Sequence, residues 1–261
     1  QTVAYTSDYS RVGPDIHRNR LVNNTLNGLL VRVTVNSDGS FDGLTVPGRF
    51  DDSDIVHIIQ NTLQIRGTAG GPIQDANGNL VSRLDARLAI DKNIVVKLDS
   101  ARIEALMGGQ LIVEAAPGNE AIFTSILDST YGAGGTFATS TSPSNIPAQP
   151  GDWGGIYIGP YASASFDNAV FQFGGGVSTI EGTFTGFNVL EIHQSTVRVT
   201  DSLFRNNADG TGGFASTDRF GRGFNNPGAI YVRGAQPIIM GNTFRGNGGP
   251  VININANALN S

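Results

Sequence analysis

The sequence predicts an all-β fold in which the chain coils upon itself as a solenoid. Two observations carry this prediction. The 261 residues include 35 Gly and no Cys, and they are rich in Asn, Thr and Ser, a composition typical of turn-rich β proteins. Residues 154–255 also contain three similar copies of one pattern, and regular internal repeats are typical of solenoids. We therefore expect a single elongated domain over residues 1–261.

The three copies share a fixed spacing between two positions of the buried type. The first position closes a short strand and the second follows twelve residues later, in the pairs Ile158 and Val170, Ile192 and Phe204, and Val232 and Phe244. A small polar residue stands two positions before the second member of each pair: Asn168, Ser202 and Asn242. Because stacked coils complete each other's backbone hydrogen bonds, this spacing predicts coils aligned in register.

Alternation along the first strand of each copy predicts three stacked rows, since successive side chains of a strand point to opposite faces. The inner row comprises Ile156, Ile158, Leu190, Ile192, Ile230, Val232, Ile252 and Ile254. The outer row comprises Tyr157, Glu191, Tyr231 and Asn253. A row at the turn edge beside it comprises Gly159, His193, Arg233 and Asn255. We expect the outer row and the turn-edge row to face away from the core.

The remainder of the chain divides by pattern. Residues 1–30 are interpreted as a partial coil of a longer protein, 31–92 as a hairpin-rich insertion, and 93–261 as regular coils. The pair Asn77-Gly78 favours a hairpin turn, although segment 75–79 is also considered as a calcium loop. Three long loops, 128–152, 174–187 and 208–227, all precede the same strand of the coil. They should rise from one edge, which is the best candidate for a functional surface.

Charge and composition exclude several classes of function. The net charge of −5 and the isoelectric point near 5.1 disfavour binding to nucleic acid or to anionic membranes. No apolar run is long enough to span a bilayer as a helix, so we expect no membrane insertion. The absence of Cys excludes disulfides, thiolate catalysis and zinc sites that use Cys.

Several phrases carry a resemblance to a known family. They are RIEALMGGQLIVEAAPGNEAIFTS, PGDWGGIYIG and GAQPIIMGNTFRGN. With their stacked turn Asn residues they resemble the right-handed parallel β-helix of the pectate-lyase-like superfamily, as found in very large bacterial surface or secreted proteins. The likeness covers residues 94–257 well and 15–31 in part.

This resemblance implies the right-handed sense of the coil and an extracellular or cell-surface location. It also implies a structural or adhesive role with carbohydrate contact, and partners that are other copies or continuing coils of the same protein. The alternative is a polysaccharide lyase or glycoside hydrolase acting on an acidic or neutral glycan. Polygalacturonase-like enzymes of the superfamily carry Asn-Thr-Asp, Asp-Asp, Gly-His-Gly and Arg-x-Lys motifs. Only Asp51-Asp52 matches, and it lies outside the regular coils.

The candidate binding site is the patch Tyr157, Glu191, His193, Tyr231 and Arg233. Aromatic faces beside charged hydrogen-bonding groups suit a sugar, and a lyase could use Arg233 or His193 as base and Tyr231 as acid, with Glu191 nearby. The alternative is a solvated face on which Glu191 and Arg233 attract each other.

Trp153 is a further candidate, either as a sugar platform or as an anchor for the base of its loop, and we prefer the anchor.

The candidate metal site is the acidic cluster Asp51, Asp52 and Asp54, near His57. Carboxylate oxygens at this spacing could hold Ca²⁺. The alternative is an exposed turn that keeps a sheet edge soluble, which we prefer. No other cofactor is expected.

Overall fold

The computed structural model describes residues 16, 18–21, 24, 26–67, 73–81, 86–131, 146–180, 183–211 and 225–254. Within these ranges the chain forms 23 strands and no helix. It follows that none of the described segments is a helix of the length and apolarity needed to cross a membrane.

The strands are numbered in chain order. The first eleven are β1 (Leu29–Leu30), β2 (Pro47–Phe50), β3 (His57–Ile59), β4 (Leu63–Ile65), β5 (Ile73–Gln74), β6 (Leu80–Val81), β7 (Arg87–Ile90), β8 (Val95–Leu98), β9 (Arg102–Ala105), β10 (Gln110–Glu114) and β11 (Ala121–Ser125). The next six are β12 (Gly155–Ile158), β13 (Ser163–Asp167), β14 (Ala169–Gln172), β15 (Val177–Ile180), β16 (Thr183–Gly186) and β17 (Leu190–His193). The last six are β18 (Thr196–Thr200), β19 (Leu203–Arg205), β20 (Ile230–Arg233), β21 (Ile238–Met240), β22 (Thr243–Arg245) and β23 (Ile252–Ile254).

Three large parallel sheets organise the described chain. Sheet I has the order β4-β9-β12-β17-β20-β23, sheet II the order β2-β7-β10-β13-β18-β21, and sheet III the order β1-β3-β8-β11-β14-β19-β22. From β2 onward the chain visits sheets II, III and I in rotation, interrupted only by the antiparallel hairpins β5–β6 and β15–β16. Successive strands of each sheet therefore come from successive passes of the chain. This arrangement confirms the all-β class and the repeated parallel strands, and it is compatible with a solenoid.

Segment 31–92 differs from the hairpin-rich expectation. It contributes β2, β3, β4 and β7 to the three parallel sheets, and β2 pairs with β7 along four residues. The antiparallel elements described there are the hairpin β5–β6 and an isolated bridge between Val35 and Phe41. The turn of the hairpin carries Gly78 at a φ of +82°, as the Asn77-Gly78 pair predicts. The sequence pattern does not reveal these parallel strands, because each is only three or four residues long and its partner lies about one pass of the chain away.

The core lies between the three sheets and is built from aligned rows. The predicted inner row is in register, with Ile156 paired to Leu190, Leu190 to Ile230 and Ile230 to Ile252. On sheet III, four phenylalanines form a ladder: Phe123, Phe171, Phe204 and Phe244. Their successive ring centroids lie 5.2, 4.6 and 5.0 Å apart. These distances match the spacing of neighbouring strands, so each ring stacks on the ring of the next coil.

Asparagines hold the turns in the way the sequence predicts. The Asn207 side chain accepts a bond from Gly174 N at 2.8 Å and donates to Phe171 O and to Asn247 Oδ1, at 3.0 and 2.9 Å. Asn242 makes the equivalent bonds one corner earlier, accepting from Ser202 N and donating to Val199 O. These ladders satisfy backbone groups where the chain leaves one sheet for the next.

Candidate functional site

The predicted outer row is assembled in register on sheet I. Tyr157 pairs with Glu191, and Glu191 with Tyr231, while His193 pairs with Arg233. The row also extends to earlier coils, where Glu104 is the register partner of Tyr157. Arg102, two residues before Glu104, joins the same face. These two residues were missed, although the alternation Arg102-Ile103-Glu104 around an inner-row residue was the signal for them.

The outer row is buried, which corrects the expectation of a surface patch. Tyr157 and Glu191 have no solvent exposure, and Tyr231 and His193 are 1% and 2% exposed. Of the five predicted patch residues, Arg233 alone is exposed. The side chains of Tyr157, Glu191, Tyr231 and His193 point away from the core between the sheets but do not reach solvent, whereas Asn253, the last member of the outer row, is half-buried.

The cover comes from the long loop 174–187 and from the end of loop 208–227. The first contains the hairpin β15–β16, and Ser178 on this hairpin donates to Ser100 O at 2.9 Å. A Cβ added at Gly154 would lie only 2.5 Å from the Ser178 Cβ, so the hairpin lies directly on sheet I. Asn225 of the second loop donates to Glu191 Oε1 at 2.9 Å. Both loops therefore fold back over the row.

The buried row is held by charge and by aromatic contacts. The Arg102 guanidinium lies 3.4 Å from the centre of the Phe187 ring, and its nitrogens lie 3.5 Å from Glu104 Oε1 and 3.8 Å from Glu191 Oε2. His193 Nε2 is 3.6 Å from the same Glu191 oxygen. The cation thus sits between two carboxylates and under a ring, an arrangement that compensates for part of its lost hydration.

The carboxyl group of Glu191 lies in a buried and charged environment. Burial raises the pKa of its carboxyl group to about 7, although the nearby Arg102 charge and the bonds from Asn188 N and Asn225 act in the opposite direction. A carboxyl group with such a pKa could act as a general acid or base near neutral pH. Glu191 has no solvent exposure, however, so in this structure it contributes to packing.

His193 lies between the two tyrosines of the row. Its ring meets Tyr157 edge-on at 5.0 Å and Tyr231 edge-on at 5.5 Å, measured between ring centroids. The side chains proposed as base, acid and carboxylate are therefore neighbours, as the register predicts. What differs from the prediction is their access to solvent.

Trp153 is completely buried, in agreement with its interpretation as an anchor and not as an exposed sugar platform. Its indole N–H donates to Gln172 O at 2.8 Å, and a Cβ at Gly174 would lie 2.8 Å from its ring. The ring thus fixes the end of loop 128–152 against the next coil.

The acidic cluster binds backbone groups of the first described residues. Asp52 Oδ1 accepts a bond from Ile16 N at 3.3 Å, and Asp54 Oδ2 accepts one from Arg18 N at 2.5 Å. Asp51 is half-buried beside them. No group of three or more His, Cys, Asp or Glu side chains in the described part of the chain is arranged to hold a metal ion. Asp52 is only 4% exposed and Asp51 and Asp54 are half-buried, so the cluster is not the exposed turn that we preferred, and the calcium site stays a prediction.

His57, the histidine near this cluster, packs against an aromatic ring. It is 1% exposed and its ring stacks on Phe50 with the centroids 4.3 Å apart. Burial lowers the pKa of His57 to about 4, so the ring is neutral at physiological pH.

A second buried polar row lies on the outer face of sheet III. Lys97 Nζ donates to Asp128 O at 2.6 Å, and Thr124 Oγ1 donates to Asp128 Oδ2 at 2.6 Å. Gln172 donates to the same carboxylate oxygen and accepts a bond from Arg205 Nε at 2.6 Å. Burial lowers the pKa of Lys97 to about 8, partly offset by the charge of Asp128. This network fastens the start of loop 128–152 to the sheet.

An open cleft lies where the chain passes from sheet III to sheet I, and residues of all three long loops line it. Its volume is about 510 Å³. The lining includes Asp152, Val177 and Thr211 from these loops, together with Asp99 and Ser125 from the ends of strands of sheet III. The accessible candidate surface is therefore this cleft beside the loops, and not the row on sheet I.

Comparisons of this chain with family models, with curated proteins and with solved structures found no match, so the interpretation of the site rests on its own geometry.

Proposed function

We propose that the chain is a right-handed parallel β-helix that serves as a structural and adhesive segment of a large extracellular bacterial protein. The rotation of the chain through three parallel sheets supports the β-helix. The right-handed sense is supported by the strong preference for right-handed connections between parallel strands of one sheet. The phrases that resemble the pectate-lyase-like superfamily support the same assignment and the extracellular location.

The burial of the outer row on sheet I carries the structural part of this proposal. An active site needs its acid, base and carboxylate within reach of a substrate. Here Glu191, His193 and Tyr231 are at most 2% exposed, and Asn225 of loop 208–227 donates to Glu191. Their role is then to attach the long loops to the stack of coils, which makes the segment rigid.

The last described strand supports other copies or continuing coils as partners. Ile252 and Ile254 continue the inner row from Ile230 and Val232, but they are 38% and 48% exposed, whereas Ile230 and Val232 are almost fully buried. An apolar inner row beside a strand edge is a surface on which a further coil can pair. The net charge of −5 argues against nucleic acid as a partner.

The experiment is a turnover assay on neutral and acidic polysaccharides, with reducing ends and unsaturated products both measured. We expect no turnover, and binding without turnover supports the adhesive role. Turnover would overturn the proposal. The variants His193→Ala and Arg233→Ala then locate the chemistry: loss of activity in either variant assigns it to the predicted patch, and retention in both assigns it elsewhere.

The second candidate function is a polysaccharide lyase or hydrolase, and the cleft is the observation that favours it. Asp99 and Asp152 both line this cleft, and paired carboxylates are the usual groups of glycoside hydrolases. In the turnover assay this function predicts product formation that Asp99→Asn abolishes.

A further inference from the structure

The cleft beside the long loops is built by several successive passes of the chain. Ser100 follows β8, Ser125 ends β11, Val177 follows β14 and Thr211 follows β19, and all four line the same cleft. Since neighbouring strands lie about 4.8 Å apart, four stacked passes give a cleft roughly 14 Å long along the stack. A cleft of this length suits a chain-like ligand better than a single small molecule.

The floor of the cleft is glycine backbone. Gly151 and Gly175 have φ angles of +94° and +83°, which favour glycine. A Cβ at Gly176 would collide with the carbonyl oxygen of Gly151. Consecutive passes therefore approach each other closely at these glycines and are held by backbone bonds such as Gly176 N to Trp153 O at 2.9 Å.

The walls combine apolar side chains with fixed hydrogen-bonding groups. Leu127, Pro150 and Val177 supply the apolar part. Asp152 is preorganised, because its Oδ2 atom accepts bonds from Ser125 Oγ at 2.6 Å and from Gln149 N at 3.0 Å. The Lys97 and Thr124 bonds to Asp128 hold the neighbouring wall, so binding requires little further ordering.

The charge of the cleft restricts the ligand. Asp99 and Asp152 are acidic, and none of the described residues that line the cleft is Lys, Arg or His. A uronate-containing glycan would bring more negative charge with no cation to pair with it. Neutral sugar hydroxyls, in contrast, can donate to both carboxylates, while the sugar CH groups contact the apolar wall.

We infer that this cleft is a binding site for a neutral oligosaccharide. The inference deepens the proposed adhesive function and rests on it, since it names the site and the class of glycan. Asp99 and Asp152 accept bonds from sugar hydroxyls, and the hydroxyl groups of Ser100 and Thr211 complete the polar contacts.

The test is isothermal titration calorimetry of the whole chain with defined probes. The neutral probes are cellotetraose, mannotetraose and xylotetraose, tetragalacturonate is the acidic probe, and tetralysine reports simple attraction to carboxylates. We expect at least one neutral tetrasaccharide to bind, with an affinity that changes little with salt. Asp99→Asn and Thr211→Val should each weaken it about tenfold.

Asp201→Asn is the matched control. It makes the same change from carboxylate to amide at an exposed corner between sheets II and III, where φ is +48° and Asn is well tolerated. This variant should bind like the unchanged protein, and the urea midpoints of all variants show whether each is folded.

Three outcomes overturn the inference: no neutral probe binds, binding survives both cleft substitutions, or tetragalacturonate or tetralysine binds better than every neutral probe. Failure to bind a neutral glycan leaves the structural role standing. That role is refuted separately, by turnover.

Discussion

At the scale of single residues, Glu191 and His57 are two buried groups with opposite effects on the pH dependence of stability. Burial raises the pKa of Glu191 from 4.5 to about 7, and it lowers that of His57 from 6.5 to about 4. Each shift means that burial disfavours the charged form. Because one group is an acid and the other a base, their contributions to stability oppose each other between about pH 4.5 and 6.5.

The Glu191 contribution is present below pH 4.5 and is lost as the pH rises through about 7, since the native state holds its proton longer than the unfolded state. The lost stability is on the order of 3 kcal/mol. In Glu191→Gln this loss should disappear, so that stability rises from pH 4.5 to 6.5 under the remaining influence of His57. Urea unfolding at several pH values measures the free energy of unfolding of the variant and of the unchanged protein. If the two proteins show the same pH profile, the prediction is contradicted.

The His57 contribution has the reverse sign. It is fully present above pH 6.5 and is lost as the pH falls through about 4. The reason is that, between these pH values, His57 is protonated in the unfolded state but stays neutral in the native state. His57→Phe keeps the stacking on Phe50 and removes the titration. Its stability should then fall with rising pH between 4.5 and 7, on the order of 3 kcal/mol, following Glu191 alone. If acid unfolding of this variant matches that of the unchanged protein, His57 is not the responsible group.

At the scale of elements, the phenylalanine ladder joins neighbouring strands of sheet III through the core. Phe171 is completely buried and stacks on Phe123 and Phe204 at once. Phe171→Ala should therefore cost about 3–5 kcal/mol of the free energy of unfolding, from lost burial and the cavity left behind.

Phe244 provides the matched control for this prediction. It has one described ladder neighbour, Phe204, and is only half-buried, so Phe244→Ala should cost clearly less. Urea unfolding of both variants makes the comparison. Equal losses would show that the stacked position of Phe171 adds nothing beyond the ring itself.

Sheet I shows that the loops covering a strand decide whether its side chains reach solvent. Strand alternation places Tyr157, Glu191 and Tyr231 on one face, and the structure has them there. The hairpin β15–β16 and Phe187 then cover this face, so a set of side chains typical of a sugar-binding surface becomes internal packing. The accessible candidate site is therefore the cleft at the strand ends and not the strand face.

At the scale of the whole molecule, the described stack ends in an apolar strand. If further coils or copies pair with β23, Ile252→Lys combined with Ile254→Lys should place charges on that surface and prevent pairing. We expect the unchanged chain to associate with increasing concentration in sedimentation experiments, and the double variant to remain monomeric. A monomeric unchanged chain would contradict pairing between copies.

Much of the fold was predictable because equivalent positions of the repeats become neighbours on adjacent parallel strands. Ile158, Ile192 and Val232 are aligned as the spacing of twelve residues predicts, as are Phe204 and Phe244, and the turn asparagines lie at the corners. In the first copy the predicted spacing is wrong by one residue, because Phe171 and not Val170 pairs with Phe204. The structure of segment 31–92 was harder to predict from the sequence, since its short parallel strands pair with strands that lie about one coil later in the chain.

The sequence by itself determined which side chains share a row, because alternation along a strand and a fixed repeat are local properties. It also supported Trp153 as an anchor. Only the tertiary structure decided whether a row faces solvent, because exposure depends on where distant loops fold. The loops 174–187 and 208–227 contain no pattern that directs them over sheet I, yet Asn225 donates to Glu191 and the hairpin residue Ser178 donates to Ser100 O. The same packing buries every residue of the predicted patch except Arg233 and leaves the cleft open.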